Sequence, residues 1–118
     1  MALTIYHNPR CSKSRKTLQL IEDAGIDPSI VPYLEEPPLP SEILGFAGKL
    51  EMRVSALLRR GEPDFKEAKD LPDLDDDAAL AEWLARHPRV LQRPIVVDNE
   101  RGRAVIGRPP ENVHDLLR

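Results

Sequence analysis

The stretch LTIYHNPRCSKSRKTL, residues 3–18, changes its hydrophobic period across a single Asn-Pro turn. Leu3–His7 is short, apolar and β-branched, the pattern of a strand, and Asn8-Pro9 ends it. From Ser12 the period becomes helical: Leu18, Ile21 and Gly25 recur on one face, with Leu20 and Ala24 nearby. Gly25 suits a helix C-cap. A strand feeding directly into a helix predicts an opening unit of parallel strands joined by a right-handed crossover. The only cysteine of the chain, Cys11, stands where the strand becomes the helix.

The later segments extend this pattern. SIVPYL reads as a second strand, and its internal Pro32 directs it to a sheet edge. EEPPLPSEILGFAGKL is a proline-rich link that opens a helix, capped by Ser41 or the residue before it. Its apolar face is Ile43, Leu44, Ala47 and Leu50. VSALLRRG is predicted to continue as a short helix ended by Gly61, followed by a polar, loop-like stretch with at most one helical turn. DDDAALAEWLARHP is the clearest helix: its acidic first turn and basic last turn suit the helix dipole, and Pro88 stops it. Trp83 within it is expected in the core. RPIVVDNERGRAVIGRPP predicts a hairpin of residues 95–97 and Arg103–Ile106 around an Asn-Glu-Arg-Gly turn. PENVHDLLR predicts a terminal helix with Pro110 near its first position. The order implies an α/β sandwich around a small mixed sheet. One domain, residues 1–118, would carry a helical insertion at about residues 40–88.

Composition narrows the function. A chain of 118 residues fits one domain and can bury a core without a disulfide or a metal staple. Charged residues are 31%, yet the net charge is only -3, which leaves no footprint for general nucleic-acid binding. No apolar run is long enough to span a bilayer, so no membrane association is expected. MALTIYHNP lacks the features of a signal peptide, and the cytoplasm, where thiols stay reduced, is the expected compartment. A lone cysteine makes no internal disulfide, so a redox role needs a second thiol from another molecule. His87 and His114 are isolated, and no metal cluster is expected. Asp75, Asp76 and Asp77 fit a helix N-terminus better than a calcium loop.

Cys11 has the surroundings of a reactive thiol. A helix N-terminus presents unpaired N–H groups and partial positive charge, which favour a thiolate and can cradle an oxyanion. His7, Arg10, Lys13 and Arg15 are possible cationic neighbours, and Ser12 and Ser14 add hydroxyls. The competing reading is a small buried hydrophobe. Arg59 in ALLRR, Arg93 in QRPIVV and Arg108 in IGRPP are candidates for bidentate recognition of a tetrahedral oxyanion. Arg93 and Arg108 each precede a proline at a strand edge, where binding residues tend to lie. Pro94, directly before a core strand, is a candidate cis proline, with an ordinary trans bond as the alternative.

These residues resemble the glutaredoxin-coupled arsenate reductase family. HNPRCSKSRKTL is similar to its active-site segment, roughly His-Asn-Pro-x-Cys-x-x-Ser-Arg-x-Thr-Leu. YLEEPP, ALLRR, HPRVLQRPIVV and IGRPPE follow in the family's order. The short chain and the more basic RCSKS interior look like a compact branch. The resemblance implies a thioredoxin-like (glutaredoxin-like) three-layer sandwich with a mixed sheet and a helical insertion. It implies Cys11 as nucleophile and His7 as the histidine beside it, with Ser14 and Arg15 as the Ser-Arg pair and Pro94 as the cis proline. It also implies that Arg59, Arg93 and Arg108 hold arsenate and the arsenite intermediate.

The implied chemistry is thiolate attack on arsenate with loss of hydroxide. Reduction by glutathione as co-substrate, with glutaredoxin as partner, would follow, and arsenite would leave by hydrolysis. No bound cofactor is expected, and a monomer is. Two other readings stay open. One is a thiol oxidoreductase acting on another glutathione-linked substrate. The other is a transcription regulator that binds RNA polymerase; in that branch Cys-x-x-Cys is typical, where this chain has Cys11 and Ser14.

Overall fold

The computed structural model describes residues 2–117. Within them the chain divides into two compact units: Pro37–Gln92, and the flanking residues up to Glu36 and from Arg93 onward. The sequence placed a helical insertion at about 40–88, inside the first of these ranges.

The flanking unit is built on four strands. β1, Leu3–His7, leads through the Asn-Pro turn into α1, Ser12–Asp23, and α1 leads to β2, Ser29–Pro32. β3, Ile95–Asp98, and β4, Arg103–Ile106, form the hairpin. The sheet order is β2-β1-β3-β4, with β1 parallel to β2 and antiparallel to β3. The mixed sheet follows from connection length. The α1 crossover returns the chain parallel, whereas the tight Asp98–Arg103 turn can only reverse it. The edge position of β2 makes chemical sense, since Pro32 cannot donate within a central strand.

The sheet alternates so that Leu3, Ile5 and Val96 face α1 and the chain's end. There they pack with Ile21, Val113 and Leu116 into one buried cluster. The last two come from the 3-10 turn Pro110–Val113 and the short helix at His114–Leu117, where the sequence predicted a single terminal helix. α1 stops at Asp23, and Gly25 follows it at φ +80°, the left-handed conformation that a glycine accepts without a Cβ penalty.

The Pro37–Gln92 unit is helical. α2, Pro40–Leu50, α3, Pro63–Lys66, and α4, Asp77–Arg86, are its helices. The cap of α2 is Leu39, not Ser41 or Pro40; its N–H donates to the Glu42 carboxylate at 2.9 Å while Pro40 takes the first helical position. The predicted helix through Val54–Gly61 is cut to the 3-10 turn Val54–Leu57. Leu58 leaves it in an extended conformation and bridges Leu91, so strand-like pairing wins over helix propensity there. Asp76 caps α4 by accepting from the Ala79 N–H, and Asp77 accepts from Arg53 Nε and the Val54 N–H. Trp83 is fully buried, donates through Nε1 to Asp70, and stacks on His87 with ring centroids 4.3 Å apart.

Gly107, directly after β4, is the tightest backbone approach in the flanking unit. A Cβ there would lie 2.5 Å from Thr17 Oγ1 and 2.8 Å from Pro94 Cγ. Gly107→Ala is therefore expected to destabilise the protein by about 1–3 kcal/mol through overpacking. Gly48→Ala, in an exposed helical position with open space around it, should instead stabilise by about 0.4–1 kcal/mol. Urea unfolding of the two variants checks the contrast; equal stability of Gly107→Ala and wild type would contradict the packing.

Candidate active site

Strand register gathers the site. Tyr6 pairs with Ile95, and Ile95 pairs with Ile106, so the end of β1, the start of β3 and the end of β4 share one edge of the sheet. The Cys11 loop leaves the first of these ends, Arg93-Pro94 enters the second, and Gly107-Arg108 leaves the third. This edge holds the carboxyl end of the parallel strand β1, where ligands sit in α/β sheets.

The loop is fixed by its own polar groups. The Cys11 N–H donates to the Asn8 carbonyl at 3.0 Å, and the Arg10 N–H donates to Asn8 Oδ1 at 3.0 Å. Ser14, fully buried in the first turn of α1, accepts from the Asn8 N–H at 3.1 Å and bonds His7 Nδ1 at 2.6 Å. Its hydroxyl proton is then free to be donated to Nδ1, which leaves the imidazole proton on Nε2. Burial lowers the His7 pKa, and the Arg15 charge lowers it further, so both disfavour the imidazolium. Arg15 itself is exposed and donates through Nη1 to the Pro9 carbonyl at 2.9 Å.

Cys11 occupies the N-cap of α1 and is half-buried. Burial alone pushes its thiol up. The Ser14 N–H, the Arg93 side chain and the Lys13 N–H oppose that, helped by the Arg93 charge, and the net shift is downward. Arg108 approaches from the other side: Nη1 lies 4.0 Å from the sulfur and donates to the Arg93 carbonyl at 3.2 Å. Backbone N–H groups and two guanidinium groups thus converge on one sulfur. Such a set stabilises a thiolate and offers donors to the oxygens of a tetrahedral anion bonded to it. The Arg93-Pro94 bond is cis, as is Arg108-Pro109.

The sequence-predicted residues thus sort by position. His7, Cys11, Ser14, Arg93, Pro94 and Arg108 come together, and Arg15 braces the loop. Arg59 belongs to the helical unit, where it follows the Val54–Leu57 turn and pairs with Glu62 at 3.6 Å. Three contributors had no role assigned from sequence: Asn8, which ties the loop; Thr17; and Gly107, whose carbonyl faces the Thr17 hydroxyl at 3.5 Å. A threonine on the apolar face of α1 and a glycine just before Arg108 were the available signals. Among the described residues no group of three His, Cys, Asp or Glu side chains could hold a metal ion.

Residues 6–116 match the ArsC family. An arsenate reductase of Neisseria meningitidis is 44% identical over 98% of this chain and 97% of its own length. One from Haemophilus influenzae is 38% identical, covering 99% and 100% of the two chains. The solved structure of the arsenate reductase from Vibrio cholerae superposes with a TM-score of 0.86 at 42% identity, covering 98% of this chain and 97% of that one. The fold is thioredoxin-like, with a four-stranded mixed sheet. The chain belongs to the ArsC family.

The site makes a direct prediction. The rate of Cys11 alkylation by iodoacetamide against pH should show a midpoint below the ordinary thiol value, since the net shift is downward. Arg93→Ala should move that midpoint upward by removing a donor and a charge. An ordinary midpoint in the wild type, or no movement in the variant, would contradict the electrostatics described.

Proposed function

We propose that this protein reduces arsenate to arsenite through the Cys11 thiolate. The observation that carries the reading is the meeting of Arg93, Arg108 and the α1 N-terminus on a half-buried sulfur whose pKa is lowered. The family relatives bearing the name arsenate reductase support it.

In this reading arsenate enters as a tetrahedral oxyanion, and Arg93 and Arg108 take its oxygens. The Cys11 thiolate attacks arsenic, an S–As bond forms, and one oxygen leaves as hydroxide, protonated to water. Charge that builds on the remaining oxygens meets guanidinium groups already in place. The chain has one cysteine, so the reducing equivalents come from external thiols: glutathione first, then glutaredoxin. The sum balances as one arsenate and two thiols giving one arsenite, one disulfide and one water. His7, held by Ser14 and with its charged form disfavoured by burial and Arg15, acts as a positioning residue for the loop. Arg59 joins the oxyanion-holding set on its ALLRR motif alone. Ser14 stands where a redox-switch regulator would carry a second cysteine, and its hydroxyl is engaged with His7. That favours the enzyme over the regulator.

The test is arsenate-dependent NADPH consumption with glutathione, glutaredoxin and glutathione reductase. Cys11→Ser should abolish it. Arg93→Ala and Arg108→Ala should each lower kcat/KM by about 10²–10³, the loss typical of one oxyanion donor. Arg59→Ala is expected to follow them. No arsenate-dependent turnover from a folded protein with an alkylatable Cys11 would overturn the reading.

A further inference from the structure

The charges around Cys11 are segregated in a way that the oxyanion set does not use. Arg10, Lys13, Arg15 and Lys16 are the only Lys, Arg, Asp or Glu residues before Glu22, although the whole chain has 20 acidic residues against 17 basic. All four are exposed. Arg15 is engaged with the Pro9 carbonyl, and Lys16 pairs with Glu111 at 3.8 Å. Arg10 and Lys13 make no side-chain hydrogen bond or ion pair among the described residues. They stand one residue before the nucleophile and two residues after it.

Arg93 and Arg108 already face the sulfur from half-buried positions, where a small anion on it would be held. Arg10 and Lys13 are exposed, and neither side chain is among those that bond the sulfur. A reactant thiol comes from solution, because the chain has no second cysteine, and it meets these two exposed cations beside Cys11 in the chain. A pair of unneutralised cations at that approach favours a reactant with carboxylates set back from its own sulfur.

We propose that Arg10 and Lys13 are specificity-determining residues for the thiol partner of Cys11, recruiting small thiols and disulfides that carry carboxylates. The inference rests on the reading that Cys11 works with an external thiol, and it names the charge of that thiol. The reaction it governs is ordinary exchange: the Cys11 thiolate attacks one sulfur of a disulfide, a mixed disulfide forms, and the other half leaves as a thiolate.

The experiment follows mixed-disulfide formation at Cys11 by mass spectrometry, without arsenate. Three probes are used: glutathione disulfide, which is anionic; hydroxyethyl disulfide, which is neutral; and cystamine, which is cationic. Rates are expressed relative to the neutral probe, so any change in the thiolate itself cancels. The Arg10→Glu/Lys13→Glu double variant should lower the relative rate of glutathione disulfide by about fivefold or more at low salt, and raise that of cystamine. Raising the salt to about 0.5 M should remove most of the difference, since exposed charges are screened within a few ångströms there. Relative rates that do not move in the variant would overturn the proposal. So would a variant that loses affinity for arsenate while its disulfide selectivity stays intact, because the rim would then serve the oxyanion. Altered selectivity in a protein that fails to reduce arsenate would uphold the rim and sink only the reductase reading.

Discussion

Everything at the site depends on how β3 is paired between β1 and β4. Because β3 runs antiparallel to β1, its first residue lies beside the last residues of β1, and the hairpin brings the end of β4 back to the same edge. Three chain segments far apart in sequence therefore meet around Cys11. A slip of β3 by one residue would turn Val96 out of the core cluster that it shares with Ile5. The hydrophobic alternation that builds the core thereby also fixes where Arg93 and Arg108 emerge. Gly107 completes the arrangement, since only a residue without a side chain lets β4 close against Thr17 and Pro94 before Arg108 turns toward the sulfur.

The electrostatics follow from that placement. A half-buried thiol by itself would resist ionisation, and here the backbone N–H groups of α1 and the Arg93 side chain outweigh burial. The histidine beside the loop is also shifted downward, which disfavours its charged form: burial and Arg15 both oppose the imidazolium, and its bond to Ser14 fixes its orientation. Charge stabilisation at the sulfur thus comes from guanidinium groups and backbone N–H groups rather than from the histidine. The thiolate and the groups that would receive an oxyanion are in place together, so little reorganisation would separate binding from attack.

Much of this was legible in the sequence because local chemistry dictated it. The period change at Asn8-Pro9 marked β1 and α1, Pro32 marked an edge strand, and the acidic start of α4 marked its cap. The cysteine at the strand–helix junction and the Arg-Pro pairs at strand edges marked residues that the fold brings together. What was not legible depended on tertiary pairing. VSALLRRG has helical composition, but Leu58 is drawn into a bridge with Leu91, so the helix stops at Leu57. Leu39 caps α2 although its side chain cannot accept a hydrogen bond; Glu42 serves its N–H instead. The tie from Ser14 to His7 and Asn8 spans a turn whose geometry no periodicity encodes. The nearness of Gly107 to Thr17 joins residues 90 positions apart.

Cys11, Arg93 and Arg108 are placed to form one oxyanion-accepting nucleophilic centre. A crystal of the protein soaked in arsenate, read by anomalous scattering at the arsenic edge, tests it most directly. Arsenic is expected bonded to Cys11 Sγ, with its oxygens within hydrogen-bonding distance of the Arg93 and Arg108 guanidinium groups, and no such site in Cys11→Ser. Arsenic bound away from the sulfur, or none bound in crystals whose Cys11 still alkylates, would contradict it.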